Sequence, residues 1–147
     1  SSAFVLSSGT DQIALGAALA PLRERLKVGQ KILLAAAWCR EDERRLFEMF
    51  PEVFMFDVTF GSNNEGRPLG VSCSPDGNMN VFTPVRAFLP SQCQWVFDWL
   101  FRTAFPTLLG VESLKRIQLV LSDGDSKIYN SFENHQRRLY PNAKHGL

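Results

Sequence analysis

An apolar run interrupted by one acid constrains this chain most. The run reads VFMFDVTF from Val53 to Phe60, and Asp57 is its only charged residue. A run this short, rich in β-branched and aromatic side chains, predicts a buried central strand. The turn-forming sequence GSN follows it, so Asp57 is expected near the carboxyl end of the strand, facing a cleft.

A carboxylate in a buried strand has two interpretations. It is costly unless it is protonated, paired or bound to a metal, which makes Asp57 a candidate metal ligand. Alternatively, Asp57 lies at the strand edge, where it caps a turn or pairs with an arginine. The run alone does not separate these interpretations, so the rest of the chain has to decide.

Size and charge exclude several classes of protein. The chain has 147 residues, which predicts one domain, and its net charge is +1 from 16 basic and 15 acidic residues. Bulk charge therefore gives no indication of a nucleic-acid partner, and any such surface must be a local patch. No apolar stretch reaches the roughly 18 residues of a membrane span, so we expect no membrane partner.

The cysteines are three in number and widely spaced, at Cys39, Cys73 and Cys93. An odd count without CxxC spacing disfavours both a disulfide framework and a zinc site. We therefore expect buried free thiols in a reducing compartment.

The segments before the central strand predict helices more than strands. Residues 1–30 are expected to form a helical extension, with a flexible segment over Ser1–Gly9 and a helix from Thr10 or Asp11 to about Lys27. Lys31 to Trp38 fits either a strand or a helix. Glu41 to Phe50 predicts a short helix whose first turn is acidic.

The segments after the central strand predict a sheet with flanking helices. Strands are expected over Pro68–Ser74, Val81–Leu89 and Arg116–Ser122, with Pro84 marking a bulge or an edge. Helices are expected from Leu89 to about Phe105, ended by Pro106, and over Ser126–Leu139.

The order of these elements predicts a mixed sheet. The first three strands are joined by short turns and should form an antiparallel meander, whereas the fourth follows a long crossover and should lie parallel to the first. The expected fold class is therefore α/β, with an antiparallel three-strand meander, a parallel fourth strand and flanking helices. If the first and fourth strands are neighbours, Asp57 and Asp123 lie at the same ends of adjacent strands.

Two carboxylates brought together repel unless a cation lies between them. Oxygen ligands on a rigid sheet suit Mg²⁺ or Mn²⁺, and two such ions about 4 Å apart promote phosphodiester cleavage or transfer in nucleases, integrases and transposases. The competing interpretation is that Ser-Asp-Gly-Asp after a strand is only a turn. Asp125 immediately precedes a helix and fits the role of its cap.

Five segments, in this order, resemble the catalytic domain of Mutator-like (MULE) transposases. They are PEVFMFDVTFGSNNEGRPL, the strand ending AFLP, the tryptophan-bearing helix, IQLVLSDGD and LYPNAKH, and the resemblance covers about Lys31 to the end. It implies an RNase H-like fold and a DDE-type site for metal-dependent DNA strand cleavage and joining. Carried over residue by residue, Asp57 matches the first catalytic acid and Asp123 the second.

The resemblance also implies partners and a location. They are Mg²⁺ or Mn²⁺ held by Asp57 and Asp123, DNA in the form of transposon ends and target, a possible homo-oligomer, and the nucleus in a eukaryotic host. Cations near the acids would hold the DNA backbone. The available side chains are Lys127, Arg137, Arg138, Lys144 and Arg67, none of which we assign a role.

The chain departs from the family at the third acid. That residue, a Glu, is expected beyond Leu147 in a further, largely helical region, so residues 31–147 are expected to be a partial core with two of the three acids. Glu133 lies on the wrong helix to replace it and is expected to face solvent. Gln92 stands where such transposases often carry a Glu.

Three hypotheses follow. The chain is part of an active DDE transposase, inactive by itself; or it is a domesticated, transposase-derived module that binds DNA or protein without catalysis. The third hypothesis is an unrelated α/β binding module whose two acids are turn caps, and it predicts that Asp57 and Asp123 lie far apart.

Overall fold

The computed structural model describes residues 2–8 by their backbone and residues 33–64 and 66–146 in full. The helix expected between Thr10 and Lys27 lies outside these residues.

Eight strands of the described residues form the sheet, in the spatial order β1-β2-β6-β4-β3-β7-β8, and β5 pairs with β4 beside this path. The strands are β1 Ser2–Ser8, β2 Leu33–Arg40, β3 Val53–Thr59, β4 Leu69–Pro75, β5 Val81–Phe82, β6 Arg86–Phe88, β7 Leu119–Leu121 and β8 Lys144–Gly146. The helices are α1 Glu41–Met49, α2 Gln94–Trp99, α3 Phe105–Leu109, α4 Val111–Lys115 and α5 Ser126–Leu139, and a π-helical turn, Leu100–Ala104, joins α2 to α3.

The pairing confirms the predicted mixed α/β sheet. β3, β4 and β6 are antiparallel neighbours, and β7 lies parallel to β3 on its other side. A further strand, β8, lies parallel to β7 and was not predicted, because its sequence KHG has none of the Val, Ile, Thr, Phe, Tyr or Trp residues that are typical of strands. The helix α5 makes the crossover that a parallel return requires.

Two expectations for the amino-terminal part need correction or completion. Ser2–Ser8 is not a flexible segment but strand β1, antiparallel to β2. Of the ambiguous segment Lys31–Trp38, the described residues, from Leu33 onward, belong to strand β2, so backbone pairing with β1 and β6 overrides the helix propensity of the alanines. The third strand divides into β5 and β6 around Pro84, as its proline indicated.

The prediction that Pro106 ends the tryptophan-bearing helix is wrong. The helix begins at Gln94 and continues through Pro106 to Leu109. The π-helical turn immediately before Pro106 explains this difference, because there the Phe105 N–H bonds to the Leu100 carbonyl, five residues back. The widened turn leaves room for the proline ring where a regular α-helix would clash with it.

The core lies on one face of the sheet. Phe54 and Phe56 of β3 are fully buried and meet Phe105 edge to face, with ring centroids 5.1 and 5.6 Å away. Phe97 of α2 contacts Phe56 in the same way at 6.5 Å. The helices therefore cover the Phe54 side of β3, while Met55 and Asp57 point to the opposite face.

The three cysteines are free thiols, as predicted. Cys39 is buried, and burial raises its pKa to about 12. Cys73 and Cys93 are half-buried.

Ser72 on β4 bridges the gap that Pro84 leaves in the neighbouring strand. Its fully buried hydroxyl accepts a hydrogen bond from the Val85 N–H at 2.8 Å and lies 3.3 Å from the Val85 carbonyl oxygen. Ser74, two residues along, is also fully buried, but its hydroxyl has no hydrogen-bond partner in the described part of the chain.

Ser72→Ala is expected to lower the free energy of unfolding by about 1–3 kcal/mol, because the buried Val85 N–H loses its partner. Ser74→Ala is the matched control and should cost nothing or stabilise slightly, since it removes an unsatisfied hydroxyl. Urea denaturation measures both. Equal losses in the two variants would contradict this account of Ser72.

Candidate functional site

Asp57 lies near the carboxyl end of β3, and Asp123 lies two residues after the carboxyl end of β7, the parallel neighbour of β3. The register pairs Met55 of β3 with Leu121 of β7, and each acid follows its paired residue by two positions. Two positions along extended chain return a side chain to the same face. The sequence prediction that the acids lie at the same ends of neighbouring strands is therefore confirmed, and the hypothesis that placed them far apart is disfavoured.

Both acids line one open cavity of about 270 Å³. Its other lining residues are mostly apolar and come from β3, β4, β7 and the residue after β7: Met55, Phe56, Val71, Cys73, Leu121 and Ser122. The cavity lies on the face of the sheet opposite the described helices. Apart from Ser122 and Asp123, its lining residues belong to strands whose backbone is fixed by the sheet.

One expectation about Asp57 is wrong, because its side chain is exposed rather than buried. Asp123 is exposed too. The outward face of β3 carries the apolar Val53 and Met55, which gave the strand the continuous apolar pattern of a two-sided core strand. An exposed carboxylate remains hydrated, so the cost of burial does not argue for a metal here.

Each acid uses one carboxylate oxygen locally. Asp57 Oδ1 accepts from the Val58 N–H at 2.8 Å, and Asp123 Oδ1 accepts from the Asp125 N–H at 3.2 Å. Within the described part of the chain, the second oxygen of each has no hydrogen-bond partner. Two oxygens that could bind a cation therefore remain at one cavity.

Asp125 has the role that the sequence assigned to it. It is the N-cap of α5, and its Oδ1 accepts from the Lys127 N–H at 2.8 Å. Asp123 is therefore not the cap of this helix.

A histidine lies beside this cavity on the helical face, and sequence reasoning gave it no role. His145 on β8 has its Nε2 2.8 Å from the Ser122 hydroxyl, and its ring lies against Tyr129 and Phe132 at 5.2 and 5.6 Å between centroids. Burial lowers the pKa of His145, although the Glu133 carboxylate opposes that shift. The sequence signal that could have indicated this position is the 14-residue helix α5, which is long enough to connect β7 to a parallel neighbouring strand that contains His145.

The other candidate residues are spread over the surface. Glu133 is exposed, as predicted, and Gln92 is half-buried. The basic candidates Lys127, Arg137, Arg138 and Lys144 are exposed, whereas Arg67 Nη1 donates to the Leu33 carbonyl at 3.3 Å. No group of three His, Cys, Asp or Glu side chains in residues 33–64 and 66–146 is placed to hold a metal ion.

The lowered pKa of His145 predicts a loss of stability in acid. Its imidazole has a lower pKa folded than the usual 6.5, so the unfolded chain binds the proton more tightly. The contribution of neutral His145 is present above pH 6.5 and is lost as pH falls through the folded pKa. Urea midpoints should fall between about pH 7 and pH 5, and less steeply in His145→Gln. An equal fall in the variant would contradict this.

Comparisons with known proteins identify no relative of this chain. No family model matches, nor does any curated protein or solved structure. In the described residues, no helix is long and apolar enough to cross a membrane. Function must therefore be argued from the acid pair and its surroundings.

Proposed function

We propose that this chain carries two acids of a metal-dependent phosphoryl-transfer site in a Mutator-like transposase core with an RNase H-like fold. In the full-length protein this core cleaves DNA strands and joins them to target DNA. The single observation that carries the proposal is the parallel register of β3 and β7, which puts Asp57 and Asp123 at one cavity.

The sheet supports the fold part of the proposal. An antiparallel meander with a parallel strand beside its first strand is the arrangement that the order of the elements predicts, and it supports the RNase H-like fold that the resemblance implies. The described helices that contact β3 pack on the face that carries Phe54 and Phe56, so among the described residues they leave the acid-bearing face accessible to a large substrate.

The chemical type of the donor atoms, carboxylate oxygens, supports binding of Mg²⁺ or Mn²⁺. Both groups are carboxylates, and Mg²⁺ is commonly bound by one or two carboxylates with the remaining positions filled by water and phosphate oxygens. Such an ion activates a water or a 3′-hydroxyl and stabilises the leaving oxygen of a phosphodiester. Asp57 and Asp123 would hold it through the oxygens left without a protein partner.

DNA is the proposed partner, as transposon ends and target, and with it a nuclear location in a eukaryotic host and a homo-oligomer. The net charge of +1 gives no general attraction, so binding depends on local cations. Lys127 is exposed in the first turn of α5, four residues after Asp123, and supports a phosphate contact near the acids. Lys144 is exposed on β8, opposite Leu119 of β7.

A second candidate function is a domesticated module that binds DNA or protein without catalysis. The observation that favours it is that the described residues bring together two acids and no third metal-binding side chain. In this case the acid pair still binds a cation, while strand cleavage is absent.

The acid pair should bind one Mn²⁺, measured as loss of the free-ion signal in electron paramagnetic resonance. Asp57→Asn and Asp123→Asn should each weaken binding by more than about tenfold, since outer-shell changes alone cost that much. Glu133→Gln, at an exposed acid outside the cavity, is the control and should bind as the wild type does. The carboxylates of Asp57 and Asp123 should lie within about 4–7 Å of each other. Crystals soaked in Mn²⁺ should show anomalous density between them. Density elsewhere would refute the site.

Without metal, Asp57→Asn is expected to leave the free energy of unfolding unchanged within about 0.5 kcal/mol or to raise it. The asparagine oxygen can still accept from the Val58 N–H, and the repulsion between the two acids is relieved. Asp125→Ala, which removes the cap of α5, is the positive control and should cost about 0.5–2 kcal/mol. A comparable loss in Asp57→Asn would make Asp57 a structural residue.

A further inference from the structure

A second cavity, of about 430 Å³, opens between β2, β6 and the loop that joins β3 to β4. Among the described residues, its lining comprises Leu33, Ala36, Asn63, Asn64, Arg67 and Phe88. The volume lies in the range of small-molecule sites, and neither acid lines it.

This cavity lies on the same face of the sheet as the acid pair. One row of paired residues runs Asp57, Val71, Arg86 and Trp38, and the next row runs Thr59, Leu69, Phe88 and Ala36. Residues two apart along a strand share a face, so Asp57 and Phe88 project to the same side. Two strand spacings and two residues separate them, which corresponds to roughly 12 Å.

The walls combine an aromatic face with polar groups. Phe88 is 38% exposed, and the half-buried Trp38 supports its ring at 5.3 Å between centroids. Arg67 holds its guanidinium at the carbonyl of Leu33, on the rim of the cavity. The amide of the exposed Asn64 adds a donor and an acceptor. An aromatic face bordered by a cation and an amide fits a flat heteroaromatic ring with a polar edge.

We propose that this cavity binds an unpaired nucleobase, stacked on Phe88, from a DNA strand whose backbone passes the acid pair. The identity of the ligand rests on the proposed function, because that function brings a DNA strand across this face. Roughly 12 Å equals three to four base steps along one strand of duplex DNA. Only an unpaired base exposes its face and its pairing edge to such a pocket.

The test uses two single-stranded DNA oligonucleotides of about ten residues, one natural and one abasic throughout, with binding followed by fluorescence anisotropy in EDTA. The natural strand should bind the wild type about fivefold to a hundredfold more tightly than the abasic strand, which is the range for one stacked base. In Phe88→Ala this preference should disappear while binding of the abasic strand is unchanged. Phe88→Tyr should keep the preference, because it keeps the aromatic face.

Val111→Ala, at an exposed apolar residue of α4, is the matched control and should keep the full preference. Phe88→Leu separates stacking from folding, since it keeps an apolar side chain and should still lose the preference. The proposal is overturned if the wild type binds both strands equally or binds neither. It is also overturned if Phe88→Ala weakens binding of both strands by the same factor.

The assay contains no metal, so its outcome is independent of the acid pair. Mn²⁺ binding without any base preference would remove this inference and leave the proposed function standing. A base preference without Mn²⁺ binding would leave the base-binding cavity standing and remove the metal site of the proposed function.

Discussion

The parallel pairing of β3 with β7 is the constraint on which the rest of the structure depends. It joins the antiparallel meander to the strand after the long helical crossover, and it buries Phe54 beside Val120 in the core. The same pairing aligns Met55 with Leu121 on the other face and so brings Asp57 and Asp123 to one cavity. Folding and the candidate site therefore depend on one set of backbone hydrogen bonds.

The two faces of the sheet differ in what they contact: one packs against the helices and the other lines two cavities. On one face the phenylalanines of β3 meet Phe97 and Phe105 in edge-to-face contacts, which stabilise the core and hold the helices. On the other face the same strands present acids, a thiol and half-exposed apolar side chains to two cavities. Because side chains alternate along a strand, both surfaces are encoded in the same short segments without conflict.

Much of the sheet could be predicted from the sequence because its signals are local. The central strand, the turn after β4, the helix α5 and its cap Asp125 all follow from residue type and spacing. The exposure of Asp57 could not be predicted, because Val53 and Met55 make the outward face of β3 apolar as well. Strand β8 and the continuation of the helix through Pro106 depend on tertiary pairing and on a π-helical turn, neither of which has a local signal here. The parallel register, and hence the meeting of the two acids, could be inferred only from the order of the elements.

The rigidity of the strands that carry the acids has a consequence for ion selectivity. Neighbouring strands are held about 4.8 Å apart by their ladder, which ends at the pair Met55 and Leu121, so the backbones two residues before Asp57 and Asp123 cannot move together or apart to suit an ion's radius. Discrimination between ions must then come from the short stretch of chain after that pair and from the reach of the two short side chains. An ion that demands many oxygens would have to draw most of them from solvent or from its substrate.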